Sequence, residues 1–265
     1  MEEKFIIYQN AKVFYKTIGN GLPVVLVHGF AEDSNIWNNQ AAYLKKDYRL
    51  IIPDLPGSGK SEMIQGNETG MTDYGACIKQ ILETEKAAQS VMIGHSMGGY
   101  ITLAFAEKYP GSLISFGLFH SSAYADDDAK IEIRKKAVDF IGSNGAYAFL
   151  KTSIPGLFYD QSNLAMYEPL IEKGAAFTNE ALVQYYRAMI ARPDRTGILE
   201  KIRFPVLMIM GEHDKAVAFK LSLEQSHMPN CSYVHILRNS AHMGMLEETG
   251  KANQILANFL LAVKI

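Results

Sequence analysis

Short apolar segments alternate with longer helical segments along much of this chain. Residues 24–27 are continuously apolar, as in a strand buried on both faces, and further strands are predicted at 49–52, 90–93 and 113–119. Helical segments separate these strands, and the first of them is predicted to begin with Ser34 as its N-cap. This alternation predicts a mostly parallel sheet with helices on its faces.

Two segments interrupt the alternation. Residues 5–8 and 13–17 flank Gln9-Asn10 and predict an antiparallel hairpin at the start of the sheet. Residues 124–200 are mostly helical in pattern, so we predict a helical insertion before the strands resume. Breaks in that insertion are predicted at Gly142, Gly145, Pro155-Gly156, Gly174 and Pro193. Later strands are predicted at 206–210 and 232–237, and a closing helix at 251–263.

Composition limits the class of partner. The 265 residues carry a formal net charge of -2, so no basic surface for nucleic acid or an anionic membrane is expected. Neither a secretory signal nor a membrane-spanning segment is expected, because the sequence has no basic segment followed by a long apolar run. Cys77 and Cys231 lack metal-ligand spacing and are interpreted as two buried, reduced thiols. We therefore expect a cytoplasmic protein that acts on a small molecule, and its oligomeric state is left open.

The segment Gly94-His95-Ser96-Met97-Gly98 lies between a predicted strand and a predicted helix. A serine on such a sharp turn has an exposed hydroxyl, and small flanking residues allow the close approach of neighbouring backbone. This context indicates that Ser96 is a nucleophile.

A serine nucleophile needs a base, and the base needs a carboxylate. His242 follows the last predicted strand and Asp214 follows the strand before it, so both are expected at the sheet edge that holds Ser96. Glu212 is the competing carboxylate, and a structural role for Asp214 as a helix cap is the other alternative. Activity should rise with pH as the histidine becomes neutral.

Acyl transfer also needs donors for the developing oxyanion. The amide of Met97 is one candidate, because it follows the nucleophile at the start of a helix. The amide of Phe30 is the other, since Gly29 allows the backbone of the loop after the third strand to turn towards the pocket.

The chain resembles the α/β-hydrolase family over nearly its full length, and four segments in the family's order carry the resemblance. They are His28-Gly29-Phe30, Gly94-His95-Ser96-Met97-Gly98-Gly99, Gly211-Glu212-His213-Asp214 and Ser240-Ala241-His242. The resemblance implies an α/β fold: an eight-stranded, mostly parallel sheet flanked by helices, with a helical cap after the sixth strand. Its core would be residues 1–120 and 201–265, and its cap residues 121–200. Haloalkane dehalogenases and epoxide hydrolases resemble this scaffold but have an aspartate as the nucleophile, so Ser96 argues against both activities.

These observations predict a cofactor-independent serine hydrolase without a metal, acting on a small, largely apolar carboxylic ester. Candidate pocket residues are His120, Leu157, Phe158 and Met189, although His120 fits a hydrogen-bonded wall residue better. Arg134, Arg187, Arg192 and Arg195 are interpreted as solvated. The same triad could serve enol-lactone or carbon–carbon bond hydrolysis, perhydrolysis or lyase chemistry. A ligand receptor is the third alternative.

Overall fold

The computed structural model describes residues 1–66 and 68–264. Within them an eight-stranded sheet forms the centre of the protein, which confirms the predicted fold class. Its strands are β1 (Glu2–Tyr8), β2 (Ala11–Ile18), β3 (Leu22–Val27), β4 (Tyr48–Pro53), β5 (Ser90–His95), β6 (Leu113–Phe119), β7 (Val206–Gly211) and β8 (Ser232–Leu237). They lie in the order β1-β2-β4-β3-β5-β6-β7-β8, so β3 and β5 are neighbours near the centre.

Strand direction follows the connections that the sequence predicts. β1 and β2 form an antiparallel hairpin, and β2 pairs with β4 in the antiparallel sense. Gln9 and Asn10 have φ of 45° and 64°, as in a type I′ turn, whose twist matches that of the flanking strands. All pairs from β4 to β8 are parallel, so the carboxyl ends of β3 and β5 to β8 meet at one edge.

Helices cover the sheet. In the sheet region they are α1 (Asn38–Leu44), α2 (Met71–Thr84), α3 (Met97–Lys108), α9 (Phe219–Gln225), α10 (Gly244–Glu247) and α11 (Thr249–Val263). Between β6 and β7 lie α4 (Asp128–Asn144), α5 (Ala146–Ser153), α6 (Leu164–Gly174), α7 (Asn179–Ile190) and α8 (Thr196–Lys201). We call residues 121–200 the inserted segment. No helix of the described residues is long and apolar enough to cross a membrane.

Three local predictions are wrong. The turn before α1 is capped by Asp33, whose carboxylate accepts the amide of Asn35 at 2.8 Å, whereas the Ser34 amide donates to Asp54. Gly142 lies inside α4, since one helical glycine costs only about 1 kcal/mol and neighbouring residues offset it. Cys231 is exposed, because it lies in the turn before β8, whereas Cys77 is buried in α2.

The prediction that four arginines are solvated is wrong for three of them, Arg134, Arg192 and Arg195. Asp126 accepts hydrogen bonds from Arg134 in α4 and from Arg192 after α7, and the Arg192 side chain is only 4% exposed. Arg195 is also buried and pairs with Glu107 of α3. Burial raises the pKa of Asp126, but hydrogen bonds and charges of the two guanidinium groups outweigh it and hold the pKa at about 2. Asp126 therefore links α4 to the segment that follows α7 through an ion cluster.

Asp126→Ala should lower the free energy of unfolding by about 3 kcal/mol, because two buried guanidinium groups lose their carboxylate. The stabilisation is present above the ordinary pKa of 3.8 and declines as pH falls towards about 2, since the folded pKa is depressed. Asp126→Asn should lack that acid dependence. Urea unfolding at several pH values measures both effects. Asp139→Asn, at an exposed position of α4, is the control. Equal stability of the Asp126 and Asp139 variants would contradict the prediction.

Candidate active site

Ser96 occupies a strained turn between β5 and α3. Its φ is 50° and its ψ is -116°, a conformation that is costly for a residue with a side chain. The turn is fixed by the Ser96 amide, which donates to the Phe119 carbonyl at 2.9 Å, and by the Ser96 carbonyl, which accepts from Gly99 at 2.9 Å. The sheet therefore maintains the strained geometry that the motif predicts.

The flanking glycines are required by space. A Cβ on Gly94 would lie 2.2 Å from the Gly98 carbonyl oxygen. A Cβ on Gly98 would lie 2.4 Å from the Val27 carbonyl oxygen at the end of β3. Real side chains do not accommodate such distances, so the motif allows α3 to pass directly against β3 and β5.

His242 and Asp214 come together at the carboxyl edge of the sheet. The Nδ1 atom of His242 lies 2.8 Å from Oδ2 of Asp214. Because a carboxylate only accepts, Nδ1 carries the hydrogen and Nε2 of a neutral ring has a free lone pair. His242 and Ser96 line the same cavity, whose volume is about 510 Å³. Asp214 therefore contacts His242, and His242 shares a cavity with Ser96.

Asp214 is tied to its surroundings on both oxygens. Its Oδ1 atom accepts the amides of Ala216 and Val217 at 2.8 and 2.9 Å. Burial raises the pKa of Asp214, but the charge of His242 and hydrogen bonds from His120 and His242 outweigh it and bring the pKa far below its usual value. The carboxylate is thus ionised near neutral pH. It also caps its own turn, so the structural alternative applies together with the contact to His242.

The two proposed oxyanion donors flank the nucleophile. Met97 is the first residue of α3, where backbone N–H groups lack helical acceptors. Among the described residues, neither the Met97 amide nor the Phe30 amide donates to a backbone carbonyl in the turns, loops and helix caps. The loop with Phe30 passes close to the nucleophile, since a Cβ on Gly29 would lie 3.2 Å from Cβ of Ser96.

Two of the predicted substrate contacts face the cavity and two do not. Leu157 and Met189 of the inserted segment line the cavity. Phe158 is only 2% exposed and packs against Tyr167 with ring centroids 5.6 Å apart, because its side chain points into the inserted segment. His120 lies beneath the site, where Gly211 and Gly244 amides approach its two ring nitrogens. Its position fits the alternative of a wall residue.

His120, Asp214 and His242 have potential metal-ligand atoms within 4.8 Å of one another, which the sequence spacing did not indicate. Hydrogen bonds already engage these atoms: His242 donates to Asp214, and the one unprotonated nitrogen of a neutral His120 ring accepts an amide, from Gly211 or from Gly244. Burial lowers the pKa of His120 to about 4, although Asp214 acts in the opposite direction. A metal would have to replace these hydrogen bonds, and we therefore describe the cluster as a hydrogen-bonded group.

Sequence reasoning missed the contacts that three residues make around the site. Glu32 and Arg134 both line the cavity, and His95 contacts Glu32 beneath the nucleophile. The sequence offered a weak signal for Glu32, a carboxylate three residues after Gly29 at a sheet edge that holds the other charged groups. It offered none for Arg134, because helical spacing does not reveal which helix face covers the cavity.

Comparisons with known proteins agree with this architecture. Residues 23–141 match the family model described as alpha/beta hydrolase fold. An esterase from Thermogutta terrifontis has a similar structure, with a TM-score of 0.93, 24% identity and coverage of 100% of both chains. The enol-lactonase from Burkholderia xenovorans gives a TM-score of 0.90 at 20% identity, covering 97% of this chain and all of the other.

Among curated relatives, the 2-hydroxy-6-oxo-6-phenylhexa-2,4-dienoate hydrolase of Comamonas testosteroni is 23% identical. The similarity covers 94% of this chain and 91% of the relative. The protein therefore has the α/β-hydrolase fold, and the resemblance that four segments of the sequence indicated is confirmed.

Asp214→Asn should slow the reaction of Ser96 with a fluorophosphonate by about 10⁴-fold, because the amide favours the wrong tautomer of His242. Mass spectrometry of the labelled peptide measures the rate. Glu212→Gln is the matched control at an exposed position two residues away, and its rate should equal that of the parent protein. Similar rates for the Asp214 and Glu212 variants would show that Asp214 is not the acid of the triad.

Proposed function

We propose that this protein is a cofactor-independent serine hydrolase that cleaves small, largely apolar carboxylic esters. The observation that supports it best is the shared cavity of Ser96 and His242, with His242 hydrogen-bonded to Asp214. The esterase and enol-lactonase of similar fold support the same reaction class. Hydrolysis through this site requires only water as a second reactant.

The proposed reaction has two halves. Ser96 Oγ attacks the ester carbonyl carbon while Nε2 of His242 takes its proton, and the amides of Phe30 and Met97 stabilise the oxyanion. The alcohol leaves with the proton from His242, and an acyl group stays on Ser96. Water then attacks the acyl carbon with His242 again as base, which releases the acid and restores Ser96.

The size and the wall of the cavity support the proposal of a small, apolar substrate. Its wall includes Phe30, Leu157, Met189, Val217 and Leu221, and its volume of about 510 Å³ lies within the range of small-ligand sites. We propose that the inserted segment acts as a cap over a core formed by residues 1–120 and 201–265. Its Leu157 carbonyl accepts the His242 amide at 2.9 Å, so the segment also supports the base loop.

The proposed location is the cytoplasm, where the two free thiols would stay reduced.

Ester cleavage is tested with nitrophenyl esters from acetate to octanoate. We expect the highest kcat/KM for short acyl chains, and Ser96→Ala should lower kcat at least about 10⁴-fold, because the acyl-enzyme no longer forms. A circular dichroism spectrum identical to that of the parent protein is the control for folding. If no ester is cleaved and Ser96 is not labelled by a sulfonyl fluoride, the proposal is wrong.

A second candidate is hydrolysis of a substrate that carries a carboxylate, at an enol-lactone or a carbon–carbon bond. Arg134 favours it, because its side chain is 11% exposed and lines the cavity. Among the residues that the structure describes, one of its Nη atoms donates only to the Met189 sulfur at 3.2 Å. A thioether is a weak acceptor, so this guanidinium retains capacity for an anion. The curated relative that acts on a dienoate also supports this candidate.

Nitrophenyl valerate and the nitrophenyl monoester of glutaric acid separate the two candidates, because they differ by a terminal carboxylate. If the anion is recognised, Arg134→Gln should raise KM for the monoester about tenfold and leave the valerate unchanged. Arg187→Gln, on an exposed position of α7, should alter neither. Equal KM values for the monoester in the Arg134 variant and the parent protein would exclude this role.

A further inference from the structure

His95, the residue before Ser96, is completely buried and contacts acceptors on both sides of its ring. Nδ1 lies 3.0 Å from Oε2 of Glu32, and Nε2 lies 2.9 Å from the backbone carbonyl oxygen of His242. A carbonyl oxygen and a carboxylate both accept. Each ring nitrogen therefore carries a hydrogen, so the geometry fits an imidazolium beside an ionised Glu32.

Glu32 connects this cation to a third loop. Its Oε2 atom also accepts the Gly29 amide at 2.6 Å, and the side chain is almost fully buried. Gly29 immediately precedes Phe30, whose amide is a proposed oxyanion donor. The pair thus contacts the backbone of the Phe30 loop and the His242 loop, while His95 itself is bonded to Ser96 through the chain.

We propose that Glu32 and His95 are positioning residues, whose buried ion pair holds the oxyanion loop, the nucleophile turn and the base loop in one arrangement. This inference rests on the proposed function, because it assigns a task within the same site. Neither residue exchanges a proton with the substrate in this role. Each acts through backbone groups: Glu32 through the Gly29 amide and His95 through the His242 carbonyl.

Four charged or titratable groups face His95 from the surrounding loops. They are Glu32 after β3, Asp214 after β7, and the rings of His120 and His242, whose centroids lie 6.1 and 5.0 Å from that of His95. Burial lowers the pKa of His95, but Glu32, the His242 carbonyl and Asp214 outweigh it and raise the pKa above 6.5. Burial raises the pKa of Glu32, but His95 and the Gly29 amide bring it below 4.5. The proton therefore belongs on the imidazole.

The pairing also limits repulsion during the reaction. His242 becomes positive when it takes the serine proton, and a lone imidazolium 5.0 Å away would oppose this. Glu32 neutralises the charge of His95, so the pair adds no net charge beside the base. Without the carboxylate, a neutral His95 bonded to residue 32 through Nδ1 would turn the Nε2 lone pair towards the His242 carbonyl, and that contact would be repulsive.

The pH dependence follows from the sign of the shift. A histidine with a raised pKa keeps its proton in the folded protein, so its contribution is present at lower pH and is lost as pH rises through the folded pKa. Activity should therefore decline on the alkaline side as His95 loses its proton. Removing the Glu32 charge should move this decline to lower pH.

Glu32→Gln tests the role in turnover, because its carbonyl oxygen can still accept from Gly29 while the charge is removed. We expect kcat for a short nitrophenyl ester to fall at least about tenfold, as a buried acceptor loses its donor, with KM changed less than about twofold. The alkaline decline should move to lower pH. Glu212→Gln and His227→Gln, at exposed positions, should retain the parent values.

NMR of the parent protein with ¹⁵N-labelled histidine rings tests the charge state without any substrate, and therefore holds even if the Glu32 variant does not fold. The spectrum of His95→Gln identifies the His95 signals. Both ring nitrogens should carry hydrogen at neutral pH. A neutral His95 ring in the parent protein would overturn the proposal, as would a folded Glu32→Gln variant with unchanged kcat and pH profile. A parent protein that cleaves no ester would overturn the proposed function, whatever the charge state of His95.

Discussion

The close approach of backbones around Ser96 is the constraint on which the rest of the site depends. Gly94 and Gly98 leave no room for a Cβ, so the end of β5, the start of α3 and the end of β3 lie in direct contact. This contact sets Ser96 at a positive φ and brings the loop of Gly29 against the nucleophile. Hydrogen bonds to Phe119 and Gly99 then hold the strained turn.

The parallel sheet explains why distant segments meet here. Successive parallel strands end at one edge, and the loops after β3, β5, β6, β7 and β8 all contribute residues around Ser96. Asp214 lies between two histidines at this edge, and Glu32 pairs with a third. Burial of these groups strengthens their mutual interactions, while each keeps a hydrogen-bond partner. The carboxyl edge of the sheet therefore holds several buried charged groups, and each of them has a hydrogen-bond partner.

Much of the architecture could be predicted from local pattern. Apolar runs such as residues 24–27 mark buried strands because a strand in contact with helices on both faces has no polar side. The first residue of a helix was harder to predict. Asp33 and Ser34 can both cap a helix, and only the hydrogen bond from the Ser34 amide to Asp54 decides between them. Gly142 shows the same limit: a glycine can end a helix or be tolerated in one, depending on neighbouring packing.

The sequence by itself determined the alternation of strands and helices and the strained serine turn, and it placed Asp214 and His242 at one edge, because positions after parallel strands share that edge. Tertiary structure alone decided which surfaces close around that edge. Arg134 joins the cavity wall, Phe158 turns away from it, and Glu32 meets His95 across 63 residues of chain. The physical reason is that burial and charge pairing depend on the packing of whole helices and loops, and local sequence does not encode these directions.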